Sequence, residues 1–132
     1  MYLKYLLAFL LVMHGLAHVT GLVGAFSSGE QAFEDAPWLF SAGVTARGPV
    51  GKAWALLWLL AALGLAGSGA GLALGWSGWP TLAVVAAVLS LVAIVPWVRV
   101  VPPGAWAGAS LDLALVVGLL SPWADRIVEL LR

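Results

Sequence analysis

Apolar residues fill four stretches of this chain, at residues 5–26, 52–74, 81–101 and 104–123. Each is close to the roughly 20 residues a helix needs to cross a hydrocarbon core. The joins are made of helix breakers. Gly75-Trp76-Ser77-Gly78-Trp79-Pro80 separates the second stretch from the third, and Pro102-Pro103-Gly104 the third from the fourth. The tryptophans of the first join suit a membrane interface. The pattern predicts an all-α fold, a single integral membrane four-helix bundle over residues 1–132. One long, partly helical loop, residues 27–51, connects helices one and two. Within it, Ser27 and Glu30 have the spacing of a capping box, and Pro37-Trp38-Leu39-Phe40 forms an aromatic patch suited to the membrane surface. A surface loop with an aromatic anchor accounts for this segment; the sharper alternative is a lid over a site.

Composition places the chain in the bilayer. Hydrophobic residues make up 63% of it and charged residues 9%, with a mean hydropathy of +1.05, outside the range of a soluble domain of this length. No Asp, Glu, Lys or Arg occurs between Lys52 and Arg99. A signal peptide is the alternative for residues 5–26, since Lys4 precedes the apolar run and Val23-Gly24-Ala25 offers small residues for cleavage. Two histidines and the length of the run favour a span. The formal net charge is zero, giving no basic surface for nucleic acid or anionic lipid. With no cysteine, disulfides, thiolate ligands and dithiol redox relays are excluded.

Charge decides orientation poorly. Lys4, Arg126 and Arg132 fall on one side of a four-helix arrangement and Arg47, Lys52 and Arg99 on the other, so there is no positive-inside bias. The expectation is a bacterial inner membrane protein with both termini cytoplasmic. Dual topology in an antiparallel homodimer is the alternative. Gly67, Gly71 and Gly75 recur every four residues, and Gly104 and Gly108 repeat the spacing. Such stripes suit close helix packing within the bundle or, less often, dimerisation.

Chemistry is concentrated in three residues. His14 and His18, the only histidines, share a helix face with Leu7, Leu11, Gly21 and Ala25. Asp112 is the only acidic residue well inside a predicted span, and an intramembrane carboxylate is a functional-site hypothesis by default. Counted at 1.5 Å per residue from the ends nearest the long loop, His18 and Asp112 both lie about 12 Å deep. Trp58 lies about 10 Å deep, and Ser90 and His14 about 16–18 Å deep. These residues predict a half-buried polar site, with Trp58, Ser90 and Arg99 as candidate lining.

Three chemistries fit the cluster. His14, His18 and Asp112 form a ligand set for Zn, Fe, Ni or Cu(II). A single histidine can hold a haem, although two on one turn cannot clamp it from both faces. An Asp112 to histidine hydrogen bond can bind a proton or a small ligand. The structural alternative is that the three satisfy one another and lock helix one to helix four. Arg99 can snorkel to the interface or reach toward Asp112. Glu30, Glu34 and Asp35 read as a solvated face, and Asp125, Arg126, Glu129 and Arg132 as an amphipathic helical tail. No nucleophile elbow, phosphate loop or HExxH motif is present, so hydrolase chemistry has no support in the sequence and the lean is toward a non-enzymatic role.

His14-Gly15-Leu16-Ala17-His18 with Gly21, Gly51-Lys52 running into Leu56-Leu57-Trp58-Leu59-Leu60-Ala61-Ala62-Leu63, and Gly108 to Asp112 resemble a family of small, uncharacterised bacterial four-helix membrane proteins with a paired-histidine first helix. The resemblance implies the fold. It also implies that Asn often stands where this chain has Asp112, which argues against an obligatory carboxylate ligand. The expectation for function is an intramembrane site binding a small ligand, proton or metal. The alternatives are an accessory subunit of a larger membrane complex and a small dimeric transporter.

Overall fold

The computed structural model describes residues 2–27, 41–98 and 104–131. Six α-helices lie among them: α1 (Tyr2–Ala17), α2 (Val19–Phe26), α3 (Pro49–Leu74), α4 (Trp79–Ile94), α5 (Gly104–Leu120) and α6 (Ala124–Leu130). Three continuous helical segments are long and apolar enough to cross a membrane: Tyr2–Phe26, Pro49–Leu74 and Trp79–Trp97. The fold is all-α, as the sequence predicts.

The first span is interrupted at His18. The His18 N–H bonds the Gly15 carbonyl and the Gly21 N–H the His18 carbonyl, both at 3.1 Å. These are i→i−3 bonds, one tight turn inside an α-helix. The Ala17 carbonyl accepts instead from the Thr20 hydroxyl at 2.7 Å, so the local change leaves it paired.

Sequence signals set the remaining ends. Pro49 stands in the first turn of α3, where its missing N–H costs nothing. Gly75 closes α3 at φ 76°, in the left-handed region. Its N–H reaches the Leu72 carbonyl and the Trp76 N–H the Gly71 carbonyl, the two bonds of a Schellman motif. Pro96, which has no N–H to donate, turns the end of α4 into a 3-10 turn over Val95–Trp97. The third predicted helix therefore leaves α-helical geometry at Ile94, short of residue 101.

The fourth differs more. α5 ends at Leu120, short of the predicted 123, and α6 turns away by 110°. Pro122 cannot donate a backbone hydrogen bond. The Ser121 hydroxyl donates to the Gly118 carbonyl at 2.8 Å and accepts from the Trp123 N–H at 3.1 Å, stabilising the corner. The amphipathic tail forms a helix, with Ile127 and Val128 packed on the core.

α3 packs against α1, α2 and α4, and α4 also packs against α5. One hydrophobic cluster joins Ala8 and Leu11, Leu65 and Leu72, Ala83 and Ala87, Leu115 and Leu131. Close approach depends on Gly15, Gly64 and Gly69. A Cβ on Gly15 would lie 2.7 Å from the Ala62 carbonyl, one on Gly69 2.6 Å from the Ala8 carbonyl, and one on Gly64 2.7 Å from Ala86 Cβ. Of the predicted stripes, Gly108 abuts His14 on α1, where a Cβ would lie 2.5 Å from the ring, Gly67 faces Leu82 at 3.4 Å and Gly71 faces Trp76 and Trp79, while Gly75 is the cap and Gly104 has nothing within 4 Å among the described residues. Four-residue spacing identifies a face but not what lies opposite it.

Ser27 begins outside α2, and Glu30, Glu34, Asp35 and the Pro37 to Phe40 patch lie outside the described residues. The end of the loop is described. Ala46 joins Trp58, Ile94 and Trp97 in a second apolar cluster, near the start of α3.

Candidate functional site

The site forms where α1, α4 and α5 meet, near the tight turn at His18. Asp112 and Ser90 are fully buried, His18 nearly so, and His14 partly. His14 Nε2 lies 3.0 Å from Asp112 Oδ1. The Ser90 hydroxyl donates to Asp112 Oδ2, and His18 Nε2 lies 2.6 Å from Ser90 Oγ. Proton placement follows from this connectivity. Ser90 has one hydroxyl proton and gives it to Asp112, so its oxygen accepts from His18. An ionised carboxylate only accepts, so His14 donates to it. With Asp112 ionised, this connectivity places the proton of both imidazoles on Nε2, directed to one carboxylate by His14 itself and by His18 through Ser90.

The neighbouring packing holds the rings in place. His14 and His18 have ring centroids 4.8 Å apart, tilted by 58°. Trp58 presents an edge-on contact to His18 at 5.4 Å and 86°. Gly108 gives His14 its space, since a Cβ there would lie 2.5 Å from His14 Cε1.

A cavity of about 230 Å³ adjoins the cluster, lined by His14, His18, Thr20, Trp58, Ile94 and Ala105 among others. Sites for drug-sized ligands run to roughly 300–1,000 Å³, so this one suits a smaller occupant. Among the described residues Asp112 has no Lys or Arg partner, and its ion-pair contact is with His14.

The structure brings together His14, His18 and Asp112, the three residues singled out from the sequence. Donor atoms, one from each, lie within 4.8 Å of one another. The depth count sets His18 level with Asp112, whereas Asp112 meets His14 directly and His18 through Ser90. Counting at a uniform 1.5 Å per residue assumes aligned helix ends and unbroken α geometry, and α1 and α2 are separated by the tight turn. Ser90 is not among the cavity's lining residues; it connects two of the three residues instead. Trp58 lines the cavity as expected, whereas Arg99 lies outside the described residues. Sequence reasoning missed Ile94 and Ala105, ordinary apolar residues that carry no signal of a cavity wall.

No protein-family model, curated protein or solved structure matches this chain. The reading of the site rests on its own geometry.

Proposed function

We propose that the chain is a four-span protein of the bacterial cytoplasmic membrane that binds a small ligand at an intramembrane site built on His14, His18, Ser90 and Asp112. The observation that carries this reading is the joining of a fully buried carboxylate and two imidazoles into one hydrogen-bonded chain beside a cavity. Packing alone needs no such opening. Polar groups inside a membrane are costly, and one that borders a cavity is the arrangement expected of a binding site. α5 has 17 residues, about 25 Å of helix at 1.5 Å per residue. That is close to the roughly 30 Å hydrocarbon core and supports α5 as the fourth span, with α6 lying across its end.

The site orients a ligand from one side. Asp112 and Ser90 accept hydrogen bonds from the Nε2–H groups, orienting both rings and leaving their other edges for an incoming group. The test is native mass spectrometry of the protein released from membranes in mild detergent, compared with Ala105→Trp, which fills the cavity. Stoichiometric bound mass, small organic or ionic, is expected on the wild-type chain and not on the folded variant. The same complement on both, including none, overturns the reading.

A further inference from the structure

We propose that the ligand includes one divalent transition-metal ion, held by His14, His18 and Asp112 with the cavity supplying its exchangeable coordination position. This rests on the ligand-site reading above and names the ligand's chemical class.

Three observations converge on it. First, the donor set is two imidazoles and one carboxylate, a combination that suits Zn²⁺, Co²⁺, Ni²⁺ and Fe²⁺, with no thiolate in the chain to select a softer ion. Second, the donors are already gathered. A tetrahedral ion with bonds of 2.0–2.2 Å needs donor pairs about 3.4 Å apart. The widest separation here is 4.8 Å, so it must close by about 1.4 Å, and His14 must turn from its hydrogen bond with Asp112 so that its unprotonated nitrogen faces the ion beside the carboxylate. Third, among the described residues neither Lys nor Arg stands beside the buried Asp112, and a buried carboxylate that is ionised requires a compensating positive charge. A proton on the cluster supplies one; a metal ion supplies it while engaging all three donors.

Ser90 has a distinct part. It links His18 to Asp112 and therefore positions both. The small cavity completes the arrangement: three protein ligands with one open position is the layout of an exchangeable ion, whereas structural sites close with four. The two histidines alone would form a weak site. The buried carboxylate, the bridging hydroxyl and the adjacent space make it a specific one.

The test uses full-length protein in nanodiscs, stripped with chelator and dialysed, then titrated with Zn²⁺ by calorimetry and with Co²⁺ by visible absorption. One ion per chain is expected, with cobalt d–d bands showing nitrogen and oxygen coordination. Binding should disappear in His14→Gln and in His18→Gln, which keep a hydrogen-bonding side chain. Ser90→Ala should weaken it about 10-fold or more, the usual effect of losing a group that orients a ligand. Asp112→Asn, which preserves shape and leaves a poor ligand, should weaken it further. A folded wild-type protein that takes up no stoichiometric ion overturns the metal proposal, as does uptake unchanged by both histidine replacements. If the metal fails but a bound mass is still lost in Ala105→Trp, the ligand site stands without it; if both fail, neither reading survives.

Discussion

Gly21 lies against the indole of Trp58 so closely that a Cβ would fall 2.2 Å from the ring carbon Cδ2. The same indole meets His18 edge-on, so one missing methyl group on α2 sets the position of a ring on α3 that in turn contacts the site. Gly21→Ala is therefore expected to push Trp58 away from His18 and to destabilise the protein by about 1–3 kcal/mol, the usual range for overpacking. Reversible unfolding in mixed micelles measures the loss, and the ring-proton shifts of His18 report the displacement. In a Trp58→Ala background the same change should cost much less, because the clashing atoms are gone.

Gly108 and His14 form a second such pair, this time between α5 and α1. Gly108→Ala should displace His14 and lengthen or break its bond to Asp112. Combined with His14→Ala, the added methyl has room, so the double variant should be more stable than the sum of the two single losses predicts, by about 0.5–3 kcal/mol. Strict additivity in the unfolding cycle would show that Gly108 makes no such contact.

Replacements of Asp112 separate shape from charge. Asp112→Ala leaves the His14 Nε2–H and the Ser90 hydroxyl without their acceptor and should cost about 1–3 kcal/mol. Asp112→Asn keeps the side-chain volume and one of the two acceptor oxygens but turns an NH₂ toward the other donor, so its unfolding midpoint should fall between those of Asp112→Ala and wild type. Equal losses in the two variants would mean that the negative charge, not the hydrogen bonding, holds the helices together.

With only two histidines in the chain, nitrogen-15 spectra of selectively labelled protein have two imidazoles to assign. Both should be Nε2-protonated when neutral, as the connectivity through Ser90 and Asp112 requires. Ser90→Ala should alter the His18 signals more than those of His14, since only His18 bonds directly to that hydroxyl. An Nδ1-protonated His18 in the wild-type protein would contradict the assigned direction of the chain.

The glycines provide a test of helix packing. Gly69→Ala should destabilise by about 1–3 kcal/mol because its Cβ would meet backbone on α1, while Gly104→Ala should be tolerated because nothing among the described residues lies within 4 Å. Gly67→Ala, facing only the end of a leucine side chain, should resemble the latter. Comparable losses at Gly67 and Gly69 would restore the four-residue stripe as the packing face.

These contrasts also show what was legible in the sequence. Long apolar runs bounded by Gly and Pro specify spanning helices, because both the hydrocarbon thickness and the breaker chemistry act locally. The choice of His14, His18 and Asp112 was likewise legible, since polar groups in apolar helices stand out one residue at a time. Pairing was not. Which histidine meets Asp112 depends on helix tilt, relative height and the tight turn at His18, all properties of several helices together. The bridging role of Ser90 was hidden for the same reason: a serine in an apolar helix can turn to its own backbone, as Ser68 does with the Leu65 carbonyl at 2.9 Å, or reach across, and the sequence around it does not distinguish the two. The bend after Leu120 was obscured because Pro122 lies near the expected end of the span, where termination and turning look alike.

The apolar cluster centred on Leu11, Leu65, Ala83 and Leu115 fills the interior on the side of the site toward α6 and the chain's first turn. Behind the histidines the molecule is therefore a cul-de-sac. On the proposed binding function, a ligand at the histidines would enter and leave by the same side in this packing, and passage to the opposite face would require this plug to open.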